Sequence, residues 1–174
     1  LTEDGIEATF GVNHLAHFWL TKLLIPRVVE SQPSTVVVVS SVAATAATSV
    51  PLELSSVTNT SNHHFAYSYA ESKLANILFA NELARRLEEG LEPCCLDHSA
   101  KEVFVNSVQP GGVETEFLAK GLVVSSEQHG SLLARGAAKI YRALSVAFAW
   151  DADEASLSIV APAVGPWIDS EAVQ

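Results

Sequence analysis

The chain has 174 residues, enough for one domain with a substantial core; 48% of them are hydrophobic and 17% are charged. This balance excludes an intrinsically disordered chain. Ten basic and twenty acidic residues give a net charge of −10, so neither nucleic acid nor an anionic membrane surface is expected as the main partner. No run approaches the roughly 18 apolar residues of a membrane-spanning helix, so no transmembrane segment is predicted.

Cysteine and histidine usage predicts no metal site. Cys94 and Cys95 are adjacent, a spacing that rarely forms a disulfide because the geometry is strained. We therefore expect a reducing compartment, the cytoplasm. His14 and His17 are three residues apart on a predicted helix, which suits a metal, but no third ligand is apparent. Packing or substrate lining is the favoured interpretation of both histidines.

The first predicted elements are a helix, a strand and a long loop. Thr2 is the predicted N-cap of the helix, and apolar residues at helical spacing follow it. Pro26 is expected to kink or break this helix, which should end by residues 31–34. Residues 36–39 are four valines, predicted to form a strand buried on both faces. Residues 43–65 are predicted to form a long loop.

The second half of the pattern repeats the order of helix and strand. Residues 66–89 form the strongest predicted helix, with Gly90 as its end. Its predicted apolar stripe is Leu74, Ile77, Leu78, Ala84 and Leu87. Residues 103–108 are predicted to form a second buried strand, which Pro110 and Gly111 terminate. Further helices are predicted over residues 114–122, 130–147 and 152–161.

Helices alternating with buried strands are typical of an α/β protein with a parallel sheet. In such sheets, functional sites gather at the carboxyl ends of the strands. Ser40 and Ser41 follow the first predicted strand, Pro110 and Gly111 follow the second, and Tyr69 opens the helix between them. We therefore expect these residues to lie at one end of the sheet.

Tyr69 and Lys73 form the most informative pair in the chain. They lie four residues apart in a predicted helix, so their side chains share one face. A fixed ammonium close to a phenol favours the phenolate. The pair therefore predicts a tyrosine that can exchange protons as a general acid or base.

Four motifs in this order resemble the short-chain dehydrogenase/reductase family, and are most similar to its retinol-dehydrogenase-like and WW-domain-oxidoreductase-like branch. They are residues 10–18 (FGVNHLAHF), 36–41 (VVVVSS), 69–76 (YAESKLAN) and 106–115 (NSVQPGGVET). The resemblance covers most of residues 1 to about 120. It implies a Rossmann-type, doubly wound parallel sheet.

The resemblance implies four catalytic residues. Tyr69 matches the family's general acid/base, and Lys73 matches the lysine that favours its phenolate and binds the nicotinamide ribose. Ser41 matches the serine that hydrogen-bonds the substrate oxygen; Ser40 is its competitor. Asn13 matches the asparagine whose backbone helps to hold a water in the proton relay, although a purely structural hydrogen bond is the alternative.

The implied cofactor is NADP, with NAD as the alternative. The residues implied to contact it are Tyr69, Lys73, Pro110, Gly111, Val113 and Thr115. The implied substrate is a small alcohol or carbonyl compound. A group of apolar residues could line a lipophilic substrate pocket, although the core is their favoured place: Phe117, Leu118, Leu122, Val123 and Val124. The resemblance also implies a homodimer formed through the helices that carry Asn13 and Tyr69.

The sequence departs from the family at its start. The glycine-rich turn that binds the pyrophosphate, the cofactor selector and the Asn-Asn-Ala-Gly segment are not found in residues 1–174. We therefore expect residues 1–174 to form a single truncated catalytic region with an incomplete sheet. Such a chain is expected to be marginally stable or oligomeric because an apolar strand would lack its neighbour. Independent nicotinamide binding is expected to be negligible.

Two other functions stay open at this point. One is a non-catalytic fragment or partner-binding remnant of such an enzyme, which the missing N-terminal motifs favour. The other is an isomerase or dehydratase of the extended branch, which shares the Ser/Tyr/Lys set. The segment from Pro110 to Thr115 argues against this second alternative. A Ser/Lys hydrolase is remote, because the chain has no Gly-x-Ser-x-Gly elbow.

Overall fold

The computed structural model describes residues 1–48, 52, 57–58, 65–93, 100, 102–111, 156, 159–161 and 163. Helices and strands alternate in it as predicted. The elements are α1 (Ala8–Phe10), a π-helical turn (Gly11–Leu15), α2 (Ala16–Glu30), β1 (Ser34–Val39), α3 (Ala44–Ala47), α4 (Phe65–Glu88) and β2 (Val103–Val108).

The first helix begins at Ala8 and not at Thr2, so the predicted N-cap was wrong. Thr2 instead closes a turn, in which its amide donates to the Ile6 carbonyl at 2.7 Å and Gly5 has a φ of 76°. Glu7 is the true cap, because its carboxylate accepts the amides of Thr9 and Phe10 at 3.0 and 2.7 Å. A carboxylate at this position also suits the helix dipole.

Pro26 was predicted to kink or break this helix; it does not break it, because α2 continues through it to Glu30. Proline removes one amide donor from a helix interior. Ile25 and Val29 are both buried against the core, and we attribute the continuity of the helix to this packing on either side of the proline. The helix does end at Ser31, as the sequence predicted.

The two strands form a parallel sheet, which confirms the predicted α/β arrangement. Their register pairs Ser34 with Val103 and Val39 with Val108. Every residue of β1 is only partly buried, so the predicted burial on both faces was wrong. Only one edge of β1 faces β2. The amide of Ser34 donates to the Glu102 carbonyl, and the amide of Ser40 donates to the Val108 carbonyl. The even-numbered residues of β1 therefore direct their backbone groups to β2, and the odd-numbered residues direct theirs to the other edge.

The core lies between the sheet and the helices α2 and α4. Its buried residues are Ile25, Val29, Leu83, Leu87 and Ala100, with Val36, Val103 and Val105 of the strands packed against them. Helix α4 agrees with the predicted 66–89 within one residue at each end, and Gly90 follows with a φ of 67°. One member of its predicted apolar stripe was wrong, since Leu78 is 51% exposed.

Helix α2 presents an apolar surface to solvent. Its large exposed residues are Trp19, Leu20, Leu23 and Leu24. They are exposed in the monomer, and the homodimer that the family resemblance implies stays a prediction. Among the described residues, no helix is both long and apolar enough to cross a membrane.

The predicted helices over 114–122 and 130–147 lie outside the described residues, as do the apolar residues at 117–118 and 122–124. In the region of the last predicted helix, residues 156, 159–161 and 163 are helical. The expected truncation of the sheet concerns segments other than those described and stays a prediction.

The buried carboxylate of Glu92 forms ion pairs with both α2 and the end of α4. Glu92 is 2% exposed and bonds Lys22 Nζ at 2.8 Å and Arg86 Nε at 2.5 Å. Burial raises the pKa of the Glu92 carboxyl, but the hydrogen bonds from Lys22 and Arg86 outweigh it, so the net pKa is lowered. The ionised form is therefore the one that the fold stabilises.

Replacing Glu92 with Gln should lower the free energy of unfolding by about 1–3 kcal/mol at neutral pH, because two charge-assisted hydrogen bonds are lost. A carboxyl with a depressed folded pKa stabilises the fold above its unfolded pKa and loses this contribution as the pH falls through the folded value. The difference between wild type and Glu92→Gln in urea unfolding should therefore shrink below about pH 4. A difference that does not change on acidification would contradict this interpretation.

Candidate active site

Helix α4 carries Tyr69 and Lys73 on one face, one turn apart. The Lys73 Nζ lies 5.6 Å from the centroid of the Tyr69 ring, a distance at which a cation interacts with an aromatic face. Both side chains are half-buried. The geometry thus brings the phenol and the ammonium into one local environment, as the i, i+4 spacing predicted.

The Lys73 ammonium is incompletely hydrogen-bonded. Within the described residues it has one hydrogen-bond acceptor, the Val39 carbonyl at 3.3 Å, whereas an ammonium has three N–H donors. Burial lowers the pKa of Lys73. Two donors are therefore open to a ligand at the carboxyl end of β1.

The two serines after β1 have different surroundings. Ser40 is buried, and its hydroxyl donates to the Lys73 carbonyl at 2.7 Å while its amide donates to the Val108 carbonyl at 2.7 Å. Its hydroxyl proton is thereby used to fasten β1 to α4. Ser41 is less buried, and its Oγ accepts the Ala43 amide at 3.2 Å. An accepting hydroxyl still has its proton to donate, so Ser41 can donate to a substrate oxygen.

Asn13 lies in the π-helical turn, and both its side chain and its carbonyl are hydrogen-bonded to neighbouring elements. Its Nδ2 donates to Ser72 Oγ at 3.2 Å, and Ser72 Oγ donates in turn to the Tyr69 carbonyl at 2.8 Å. Its carbonyl accepts Asn76 Nδ2 at 3.2 Å and bonds His17 Nδ1 at 3.1 Å. Single π-helical turns often mark functional sites, and this one places Asn13 against the helix of Tyr69 and Lys73.

His14 has a structural environment and is not a metal ligand in the described arrangement. Its ring lies 5.1 Å from Phe10 and 6.2 Å from Phe79, measured between centroids. Its Nδ1 bonds Asn76 Oδ1 at 2.9 Å. Within the described residues, no group of three metal-ligating side chains occurs.

Asn76 was missed as a site residue by sequence reasoning, although it belongs to one of the four motifs. It is 2% exposed and bonds the site from the side of α4. The available signal was an amide on the face of the helix that carries Tyr69 and Lys73, where an unpaired polar group would be costly if buried.

Pro110 and Gly111 lie directly after β2, at the same end of the sheet as Ser41. Gly111 has a φ of 81°, a backbone conformation that residues with a side chain rarely adopt. Val113 and Thr115, the other predicted contacts of the cofactor, lie outside the described residues.

Two cavities flank the sheet near these residues. One, of about 550 Å³, is lined by Ser41, Thr45, Leu74 and the end of β2. The other, of about 300 Å³, lies along the open edge of β1 and is lined by His17, Lys73 and Asn76. Tyr69 lines neither of these two cavities, whereas Ser41 lines the first and Lys73 lines the second.

A parallel α/β sheet with a Tyr-x-x-x-Lys helix at the carboxyl end of one strand is the arrangement of the short-chain dehydrogenases/reductases. The comparisons agree. The chain is 42% identical over 114 residues to retinol dehydrogenase 14 of Mus musculus, 41% over 116 residues to retinol dehydrogenase 13 of Homo sapiens, and 41% over 119 residues to the WW domain-containing oxidoreductase of Homo sapiens. Over the matched residues the chain is homologous to this branch of the family, which confirms the resemblance of the motifs.

These matches cover 66%, 66% and 65% of this chain, in the same order, but 30%, 31% and 26% of the relatives. The chain therefore spans less than a third of the length of the curated relatives it matches. No family model matches the chain, and no solved structure does.

Proposed function

We propose that the natural polypeptide carrying this chain is an NAD(P)-dependent oxidoreductase that interconverts an alcohol and a carbonyl compound. The single observation that carries this proposal is the half-buried Lys73 ammonium above the Tyr69 ring, with two of its N–H donors open within the described residues. Homology to proteins named as dehydrogenases and oxidoreductases supports the reaction class.

A nicotinamide nucleotide fits the residues that are present. Its ribose hydroxyls are acceptors of the kind that the open Lys73 donors need. Tyr69, Lys73, Pro110 and Gly111 are the described residues proposed to hold it, and Val113 and Thr115 are proposed to join them. When bound, the cofactor supplies the hydride. The branch resemblance makes NADP the first choice over NAD.

The roles of the protein groups follow from their chemistry. In carbonyl reduction, the Tyr69 hydroxyl donates its proton to the substrate oxygen while the carbonyl carbon gains a hydride. The Lys73 ammonium stabilises the phenolate that is left. Ser41 donates a hydrogen bond to the same substrate oxygen, because its proton is not used by the fold in the way that the proton of Ser40 is.

The relatives' names suggest the first substrates to test. Two of those reported are named for retinol, a lipophilic alcohol. We propose a lipophilic alcohol or aldehyde as the substrate, with retinol and retinal as the leading test compounds. Cytoplasmic localisation remains a proposal that rests on the adjacent cysteines.

A cofactor-coupled assay separates this function from its two alternatives. The purified natural polypeptide is mixed with a panel of aldehydes, including retinal, and with NADPH or NADH. We expect carbonyl loss to match cofactor oxidation one to one. Substrate conversion without net cofactor oxidation would instead favour an isomerase or dehydratase, and no conversion of any compound would favour a non-catalytic remnant.

A further inference from the structure

Asn76 is a buried amide whose polar atoms all have partners in different elements. Its Nδ2 donates to the Asn13 carbonyl at 3.2 Å and to the Val39 carbonyl at 3.1 Å. Its Oδ1 bonds His14 Nδ1 at 2.9 Å. Helix α4, the π-helical turn and the end of β1 therefore meet at one side chain, which is 2% exposed.

The orientation of this amide follows from donor accounting. A side-chain amide has two N–H donors on nitrogen and only acceptors on oxygen. Two backbone carbonyls surround Nδ2 and can only accept, so both of its hydrogens are committed to them. The Oδ1 must then accept from His14, so His14 must carry a proton on Nδ1.

The Val39 carbonyl links this amide to the catalytic pair. The oxygen that accepts Asn76 Nδ2 at 3.1 Å also accepts Lys73 Nζ at 3.3 Å. The other carbonyl that Asn76 holds belongs to Asn13, whose side chain connects through Ser72 to the backbone of Tyr69. The Val39 carbonyl is thus in direct contact with Lys73, whereas Asn13 reaches Tyr69 through two contacts, by way of Ser72.

We propose that Asn76 is a positioning residue of this site, which holds the Asn13 and Val39 carbonyls so that the Lys73 ammonium stays above the Tyr69 ring. This role deepens the proposed oxidoreductase function and rests on it. Asn76 acts through the two carbonyls that it holds, those of Val39 and Asn13.

The charge state of His14 supports the same arrangement. Burial lowers the pKa of His14, the hydrogen bond with Asn76 raises it, and the nearby His17 lowers it, with a net lowering. The other groups facing the ring are the aromatic side chains of Phe10, Phe18 and Phe79. The neutral form of the His14 imidazole is therefore favoured at pH 7. The hydrogen bond with the Asn76 amide selects one of the two tautomers of this neutral form.

The first test needs no substitution. The full 174-residue chain is labelled with ¹⁵N-histidine, and the tautomer of each ring is assigned by long-range ¹H–¹⁵N correlation. We expect the neutral form of His14 to carry its proton on Nδ1, the rarer tautomer of free histidine. A His14 with its proton on Nε2, or one with the shifts of the urea-denatured chain, would overturn the proposal.

Two substitutions then give His14 shifts of opposite sign. In Asn76→Asp, a carboxyl group replaces the amide that bonds His14 and shares the Val39 carbonyl with Lys73. Its ionised form has no hydrogen for the two backbone carbonyls, but its negative charge should raise the pKa values of His14 and Lys73. In Asn76→Ala, His14 loses the hydrogen bond that raises its pKa, so this pKa should fall further. A merely structural loosening would move the His14 pKa toward its ordinary value, that is upward, in both variants. Upward shifts in both would therefore sink the proposal.

The matched control is Asn81→Ala, an exposed asparagine on the same helix, which should leave the His14 tautomer and the Lys73 pKa unchanged. Neither readout requires turnover. If hydride transfer fails while the His14 tautomer and the opposite shifts are found, the proposed function is wrong and the arrangement of Asn76 is right. If transfer succeeds and the shifts are absent, only the role of Asn76 is wrong.

Discussion

Replacing Tyr69 with Phe should lower kcat/KM of the natural polypeptide by about 10²–10⁴-fold, the range for loss of a positioned general acid or base. Phenylalanine keeps the ring under Lys73 Nζ but has no hydroxyl to donate to the substrate oxygen. The loss should appear in kcat, and the Kd of the nicotinamide cofactor should change little, because Lys73 keeps its donors. Steady-state kinetics and a calorimetric titration of cofactor measure the two quantities.

Tyr67→Phe is the matched control for this variant. Tyr67 lies two residues earlier on α4, a spacing that puts its side chain on a different face of the helix from that of Tyr69, and the same chemical change there removes a hydroxyl. We expect its kcat/KM to stay within a few-fold of wild type. Activity that survives in Tyr69→Phe, or that falls equally in both variants, would contradict the assignment of Tyr69 as the acid/base.

Replacing Leu83 with Ala should cost far more stability than replacing Leu78 with Ala on the same helix. Leu83 is 3% exposed in the core cluster with Ile25, Val29 and Leu87. Truncation of a buried leucine removes transfer free energy and leaves a cavity, which together cost about 2–5 kcal/mol. Leu78→Ala on the same helix removes a side chain that is 51% exposed and should cost less than about 0.5 kcal/mol.

Urea unfolding of the two variants beside wild type measures this difference. The comparison tests the rotational setting of α4 against the sheet, because both substitutions change helix propensity equally. Equal losses for Leu78→Ala and Leu83→Ala would mean that α4 packs on a different face from the one described here.

The extent of α4 could be predicted from sequence, whereas its buried face could be predicted only in part. Its ends depend on local features of the sequence, namely a run of good helix formers followed by Gly90, which has a positive φ. Its buried face includes polar residues, Ser68, Ser72 and Asn76, because the helix packs against the site as well as the core. A search for apolar residues at helical spacing therefore included Leu78 and passed over Asn76.

The two errors in the first helices have different causes. Thr2 has the properties of an N-cap, but a local turn around Gly5 forms instead, and the helix begins after Glu7, whose carboxylate caps it. Pro26 disfavours a helix interior, but the buried Ile25 and Val29 pack in the core on either side of it. Local preference competed with packing at Pro26, and the partners in that packing are distant in sequence.

The positions of the candidate site residues were predictable where they depend on spacing within one helix or strand. Tyr69 and Lys73 are one helical turn apart, and Ser41 follows the end of β1. The contacts of Asn13 were not predictable, because Ser72 lies 59 positions away along the chain and Asn76 lies 63 positions away. Such a network depends on how α4 meets the π-helical turn, which no local pattern encodes.

The most direct test of the proposed function follows the hydride itself. The natural polypeptide is incubated with an aldehyde, retinal first, and with NADPH that carries deuterium at the transferred position of the nicotinamide, and the product is analysed by mass spectrometry. We predict an alcohol with one deuterium on the former carbonyl carbon, formed by wild type and not by Tyr69→Phe. The absence of deuterated alcohol from wild type, with either cofactor and across the aldehyde panel, would contradict the proposed oxidoreductase.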